Sequence, residues 1–152
     1  MFKPTTWSVG LDAMARFIDH VKLYVDGGSR GNPGHAAIGV LILDGDKNEL
    51  CLGTECIGIA TNNQAEYRAL IWGLNLCAGH TRRRVTCYSD SELVVKHMIG
   101  HYRLKNDVLL QLFQRVKQCE GAFNEVVYTH VKRTNPYIRR VDRALNEALE
   151  GR

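Results

Sequence analysis

The 152-residue sequence predicts an α/β domain built on a mixed sheet. Three observations point there. Three apolar, strand-like stretches follow one another between residues 21 and 60, joined by short turns. The apolar period then changes to a helical one near residue 62, and strand-like and helix-like segments alternate to the end. An antiparallel meander extended by parallel crossovers, with helices packed on both faces of the sheet, satisfies that order.

VKLYVD (21–26) has strand composition and is expected to stop at the glycine-rich GGSRGNPG. AAIGVLILD (36–44) is a long apolar strand, and DGDKN after it signals a hairpin turn. ELCLGTECIGIA (49–60) returns as the third strand, with Gly53 and Gly58 predicting a bulge or bend. In NNQAEYRALIWGLNLCAG, Ala65, Ala69, Trp72, Gly73 and Leu76 share one helical face. RRVTCYSD (83–90) is the fourth strand, and SELVVKHMIG (91–100) a short helix stopped by Gly100. NDVLLQLFQRVKQCEG (106–121) is a helix with Asn106 as N-cap and Gly121 as stop. NEVVYTHV (124–131) is the fifth strand, and after a polar loop RRVDRALNEALEG (139–151) closes the chain as a helix.

The apolar share of 45% and charged share of 24% are ordinary for a soluble globular protein with one core. Twenty basic against sixteen acidic residues leave +4, which permits a polyanionic partner without demanding one. Cysteines at 51, 56, 77, 87 and 119 contain no C-x-x-C pair. A zinc site or disulfide framework is therefore disfavoured, and reduced thiols in a cytoplasmic setting are expected. No apolar run approaches the ~18–20 residues of a membrane span, and residues 1–20 lack a signal-peptide pattern. Those twenty residues are expected to form an N-terminal extension, with Trp7, Met14, Phe17 and Ile18 available to pack on a single domain spanning 21–152. No apolar excess calls for an obligate protein partner, so a monomer is the expectation.

Four carboxylates fall at element ends. Asp26 ends the first strand, Glu66 lies in the first turn of the first helix, Asp90 ends the fourth strand, and Asp142 lies near the start of the last helix. Each has a local explanation. Asn63 and Glu66 fit a capping box, Asp90 can cap the helix at Ser91, and Asp142 can be solvated between Arg140 and Arg143. Taken together they suggest more, because ligands gather at the carboxyl ends of strands in α/β sheets. Four converging carboxylates would raise one another's pKa unless they held hard divalent cations. Two such ions about 4 Å apart can activate a water and stabilise the leaving oxygen of a phosphodiester.

The stretches YVDGGSRGNPG, TNNQAEYRAL, YSDSELVV and VDRALNEAL closely resemble the ribonuclease H type I family in its compact bacterial and archaeal form. The resemblance implies a five-stranded mixed sheet in the order 3-2-1-4-5. It also implies Mg²⁺-dependent cleavage of the RNA strand in RNA–DNA hybrids, with two ions per site, Mn²⁺ as a substitute, and 5′-phosphate and 3′-hydroxyl products. By motif, Asp26, Glu66, Asp90 and Asp142 are the metal-binding acids, with Asp26 shared between the ions. Gly27 and Gly28 would let the backbone approach the hybrid's minor groove. Asn32, Asn62 and Asn63 match positions that read RNA 2′-hydroxyls or groove edges, and Thr61 and Asn106 match positions that grip a DNA-strand phosphate. A nucleotide P-loop is the rival for the glycines, but G-x-x-x-x-G-K-[ST] is absent. The alternative function is a non-catalytic module binding hybrid or RNA on the same scaffold.

The sequence departs from the family in three places. IGHYRLKND (99–107) leaves no room for a basic protrusion, so affinity must come from Arg103, Lys105, the Arg82–Arg84 run or the N-terminal segment. THVKRTNPYIRRVD stretches the loop before Asp142, placing Asn135 seven residues ahead of it and Ile138 where relatives carry an asparagine. The loop residue that assists product release is left open, and His130 reads as a strand-end residue. Leu93 occupies a position that is often aromatic.

Overall fold

The computed structural model describes residues 17–103 and 105–151, so the expected packing of Trp7 and Met14 lies outside the described residues. The elements run β1 (His20–Arg30), β2 (Gly34–Asp44), β3 (Glu49–Ala60), α1 (Asn62–Cys77), β4 (Arg84–Ser89), α2 (Glu92–Met98), α3 (Asp107–Glu120), β5 (Glu125–His130) and α4 (Pro136–Glu150). They form the expected five-stranded sheet, ordered β3-β2-β1-β4-β5. β1–β2 and β2–β3 pair antiparallel, and β1–β4 and β4–β5 pair parallel.

Alternation along the strands fills two layers. Val21, Leu23 and Val25 of β1 join Val40 and Ile42 of β2 under α1, α2 and α3, where Tyr67, Leu70, Leu74, Val94, Leu112 and Val116 complete the main core. Tyr24, Leu41 and Leu43 face the other way and meet Ile138 and Val141 of α4. The helices thus cover both faces.

Several boundaries differ from the sequence reading. β1 does not stop at Asp26 but continues to Arg30, because its outer half pairs with β2 from Asp26↔Gly39 to Arg30↔His35. Its pairing with β4 ends earlier, at Tyr24↔Tyr88. Asp26 therefore sits where two parallel strands part, the switch point at which α/β sheets open a crevice. The α1 capping box is Thr61–Gln64, not Asn63–Glu66: Thr61 Oγ1 accepts from Gln64 N (3.1 Å) and Gln64 Oε1 from Thr61 N (2.9 Å). The cap of α2 is Ser91, whose hydroxyl accepts from Val94 N, and not Asp90. α4 begins three residues before the expected start, at Pro136, because Asn135 caps it by accepting from Tyr137 N and Ile138 N. That is the arrangement Pro favours at the first helical position. The β3 irregularities skip Ile57, beside Gly58, and Leu50; Gly53 pairs regularly with Val40.

The start of the described chain is tied in. Ile18 N donates to His80 O at 2.9 Å, Thr81 Oγ1 donates to Ile18 O, and the Arg82 guanidinium lies 5.1 Å from the Phe17 ring centre.

Candidate active site

Two glycines on neighbouring strands bring two helices to Asp26. On one face, a Cβ on Gly27 would lie 2.7 Å from Glu66 N and closer still to the Ala65 carbonyl, so only glycine lets α1 ride against β1 there. On the other face, a Cβ on Gly39, which pairs with Asp26, would lie 2.7 Å from Val141 Cγ1 of α4. The first contact delivers Glu66 and the second Asp142. Asp90 follows directly from β4, the parallel neighbour of β1.

The four acids line one depression, together with Gly27, Gly28, Asn62, Asn63, Ser91 and Arg133. Asp26, Glu66 and Asp90 each present a carboxylate oxygen, all within 4.8 Å of one another. Asp142 lines the same depression, near enough for its charge to act on Asp26. Asp26 and Glu66 are each only 7% exposed. Neither Glu66 nor Asp90 performs the capping duty the sequence allowed, whereas Asp142 is exposed, as a place between Arg140 and Arg143 allowed. The caps belong to Thr61, Gln64 and Ser91, and the nearby Arg140 pairs with Glu49.

Burial first, then the charges of Asp90 and Asp142, pushes the Asp26 carboxyl up to about 8. Glu66 is driven well above the ordinary carboxylate range by burial and by Asp26 and Asp90, although Gly27 N donates to its Oε1 at 2.5 Å. Such a set is unfavourable when empty and ionised. Hard oxygen donors, close spacing and excess negative charge fit divalent cations of the magnesium class.

The expected substrate residues divide. Gly27, Gly28, Asn62 and Asn63 line the acid depression, whereas Asn32, Thr61 and Asn106 lie outside it. Asn32 Oδ1 accepts from Asn62 N (2.9 Å), Asn62 Oδ1 accepts from Ser29 N (2.9 Å) and Ser29 Oγ (3.1 Å), and Asn106 Oδ1 accepts from Leu109 N (3.0 Å). Each amide spends its oxygen on the protein and leaves its NH₂ group to donate, so all three suit acceptor atoms on a ligand. Gly27 is required by α1 in the first place, and Gly31 is the glycine of this loop with a left-handed backbone, φ 91°.

Sequence reasoning did not single out Arg133. Its Nε lies 3.7 Å from Asp90 Oδ2, with the side chain 90% exposed at the rim of the acids. The stretched loop was the signal, and an arginine three residues before the Pro at the helix start was its readable part. His130 is exposed at the end of β5 and does not line the depression. The Arg82–Arg84 run, one of the candidate sources of hybrid affinity, lies away from the acids. Arg84 pairs with Glu125 and Arg83 with Asp19, at the opposite end of β4 from Asp90. Six residues of strand put about 20 Å between them.

A mixed α/β sheet of this order with carboxylates gathered at its switch point defines the class, and comparison with known proteins narrows it. Residues 24–137 match the family described as reverse transcriptase-like. The chain is 38% identical over 130 residues to ribonuclease HI of Halobacterium salinarum, covering 86% of this chain and 64% of that protein. It is 37% identical over 132 residues to the bifunctional protein Rv2228c of Mycobacterium tuberculosis, spanning 35% of it. The crystal structure of the halobacterial RNase H1 superposes with a TM-score of 0.83, covering 88% of this chain and 99% of that one. LC11-RNase H1 in complex with an RNA/DNA hybrid gives 0.75 at 35% identity, covering 85% of this chain and 99% of that one. The chain belongs to the ribonuclease H type I family.

Proposed function

We propose that this protein is an endoribonuclease that hydrolyses the RNA strand of RNA–DNA hybrids, leaving 5′-phosphate and 3′-hydroxyl ends, with residues 21–152 as the catalytic unit and 1–20 as an extension. The observation that carries the reading is the convergence of Asp26, Glu66, Asp90 and Asp142 on one depression at the β1/β4 switch point. The hybrid bound to LC11-RNase H1, a family member of the same fold, supports the substrate class.

Mg²⁺, or Mn²⁺ in its place, would supply charge neutralisation, a more acidic attacking water and a stabilised leaving oxygen. Asp26 stands between two groups of acids: Asp142 reaches it from α4, and Glu66 and Asp90 flank it from α1 and β4. It would therefore belong to both halves of a two-ion set. The donor-only amides of Asn32 and Asn62 would meet acceptors on the groove side, including the RNA 2′-oxygen, with Asn63 beside them at the depression. Thr61 and Asn106 retain a hydroxyl hydrogen and an NH₂ group that can donate to a DNA-strand phosphate. Arg133 would hold the non-bridging oxygens of the scissile phosphate and then those of the new 5′-phosphate. A guanidinium gives up no proton near neutral pH, so its contribution is charge and direction.

A pure binding module would gain nothing from four acids facing a phosphate backbone. Among the described residues, no helix is long and apolar enough to cross a membrane. All five cysteines are free, in keeping with thiols of a reducing compartment.

The test is Asp26→Asn. Cleavage should vanish while hybrid binding, measured by fluorescence anisotropy, stays equal or tightens, because one charge repelling the phosphates is gone. Near-normal cleavage by that variant would sink the assignment.

A further inference from the structure

Tyr67 and His97 form a hydrogen bond inside the core, the hydroxyl meeting Nδ1. Tyr67 is fully buried and His97 is 2% exposed. Tyr67 is the residue after Glu66, on α1, and His97 lies on α2, the short helix that begins immediately after Asp90 and Ser91. Among the described residues, this is the side-chain hydrogen bond that ties the two helices together. The rest of their contact is apolar, through residues such as Val94 and Met98.

The bond has a cost that packing alone does not explain. His97 Nε2 is buried without a partner. A leucine or methionine there would fill the core with no orphaned nitrogen, and a buried polar atom left unmatched is expensive. Apolar contact is also non-directional, so it leaves a seven-residue helix free to roll on its neighbour. A hydrogen bond is directional and sets both distance and azimuth. Tyr102, whose ring centre lies 4.4 Å from that of His97, packs edge-on against the imidazole.

We propose that the Tyr67–His97 pair is a positioning device that fixes α1 against α2 and thereby sets the separation of the Glu66 and Asp90 carboxylates for cation binding. The inference rests on the reading of those acids as a divalent-cation site. Neither residue touches the cations or the substrate; both act through α1, which carries Glu66, and α2, which starts two residues after Asp90.

The experiment is calorimetric titration of the full chain with Mn²⁺, without nucleic acid, alongside thermal melts. Wild type should bind, and Asp26→Asn should not. Tyr67→Phe and His97→Leu should each weaken Mn²⁺ binding about tenfold, the low end of what losing a supporting hydrogen bond costs a metal site. The double variant should bind no more weakly than either single one, since both remove the same bond. Its melting temperature should stay near that of wild type, because neither polar group is left unmatched by the other. His97→Gln should restore binding, as an amide can meet the Tyr67 hydroxyl.

Mn²⁺ affinity that stays at the wild-type value in His97→Leu and the double variant, whatever the melting temperatures, would overturn the proposal. If Tyr67→Phe fails to fold, the contrast between His97→Leu and His97→Gln decides alone. Absence of Mn²⁺ binding by wild type would instead bring down the cation-site reading, and this one with it.

Discussion

At the scale of single residues, the gathered acids are unfavourable when ionised, and divalent cations would relieve them. Asp26 has its folded-state pKa raised from 3.8 to about 8, chiefly by burial and then by Asp90 and Asp142. A carboxyl raised in this way favours the folded state while protonated. Its contribution is complete below the ordinary value near 3.8 and is lost as pH climbs toward 8. The metal-free protein should therefore melt at progressively lower temperature across that window, and Asp26→Asn should flatten the decline. Thermal melts in EDTA from pH 5 to 8 check this, and added Mg²⁺ should raise the melting temperature most at the alkaline end. Arg133 has a separate signature. Arg133→Ala should lower turnover by up to about 10²-fold, as for one lost transition-state donor, while leaving the fold intact because the side chain is 90% exposed. Single-turnover cleavage with saturating enzyme separates that effect from weaker binding.

At the scale of elements, the site depends on how closely two helices approach one strand pair. Gly27→Ala should destabilise the domain by about 1–3 kcal/mol, because the added methyl meets α1 backbone and has no side chain to push aside. Cleavage should fall further than stability alone explains, since Glu66 moves with α1. Circular dichroism melts and initial rates at a temperature where the variant is folded measure the two effects. The existence, type and order of every described strand and helix were legible in the sequence, because the apolar periods are strong and Gly100, Asn106 and Gly121 punctuate them. The boundaries near the site were not. GGSRGNPG reads as a loop by composition, yet its first residues stay in β1 because β2 pairs with them through Arg30. Thr61 and Asn63 are both good caps, and only the observed bonds show that Thr61 takes the role. Asn135 was read as a loop residue, and its capping of α4 is what carries Ile138 into the core and Asp142 to Asp26.

At the scale of the whole molecule, what matters for the proposed function is which basic residues lie on the side of the acids, where a hybrid would bind. The four acids could be recognised by motif, but motif does not say where a charge run lies relative to them. Arg83 and Arg84 are engaged with Asp19 and Glu125 at the far end of β4. Arg103 and Lys105 are exposed in the α2–α3 connection, with no carboxylate within 4 Å among the described residues. α2 has seven residues, so that connection starts about 10 Å beyond Asp90, against about 20 Å for Arg84. Replacing Arg103 or Lys105 with alanine should weaken hybrid binding and lower its log–log salt slope by about one each, whereas Arg83→Ala should leave the slope unchanged. The proposed activity is hydrolysis of RNA only when it is paired with DNA. Its most direct test is cleavage of one end-labelled RNA, supplied free, paired with RNA, and paired with DNA, in Mg²⁺ and in EDTA. Cutting confined to the DNA-paired strand, and only with Mg²⁺, is the predicted result; binding of the hybrid with no cutting in Mg²⁺ would contradict it.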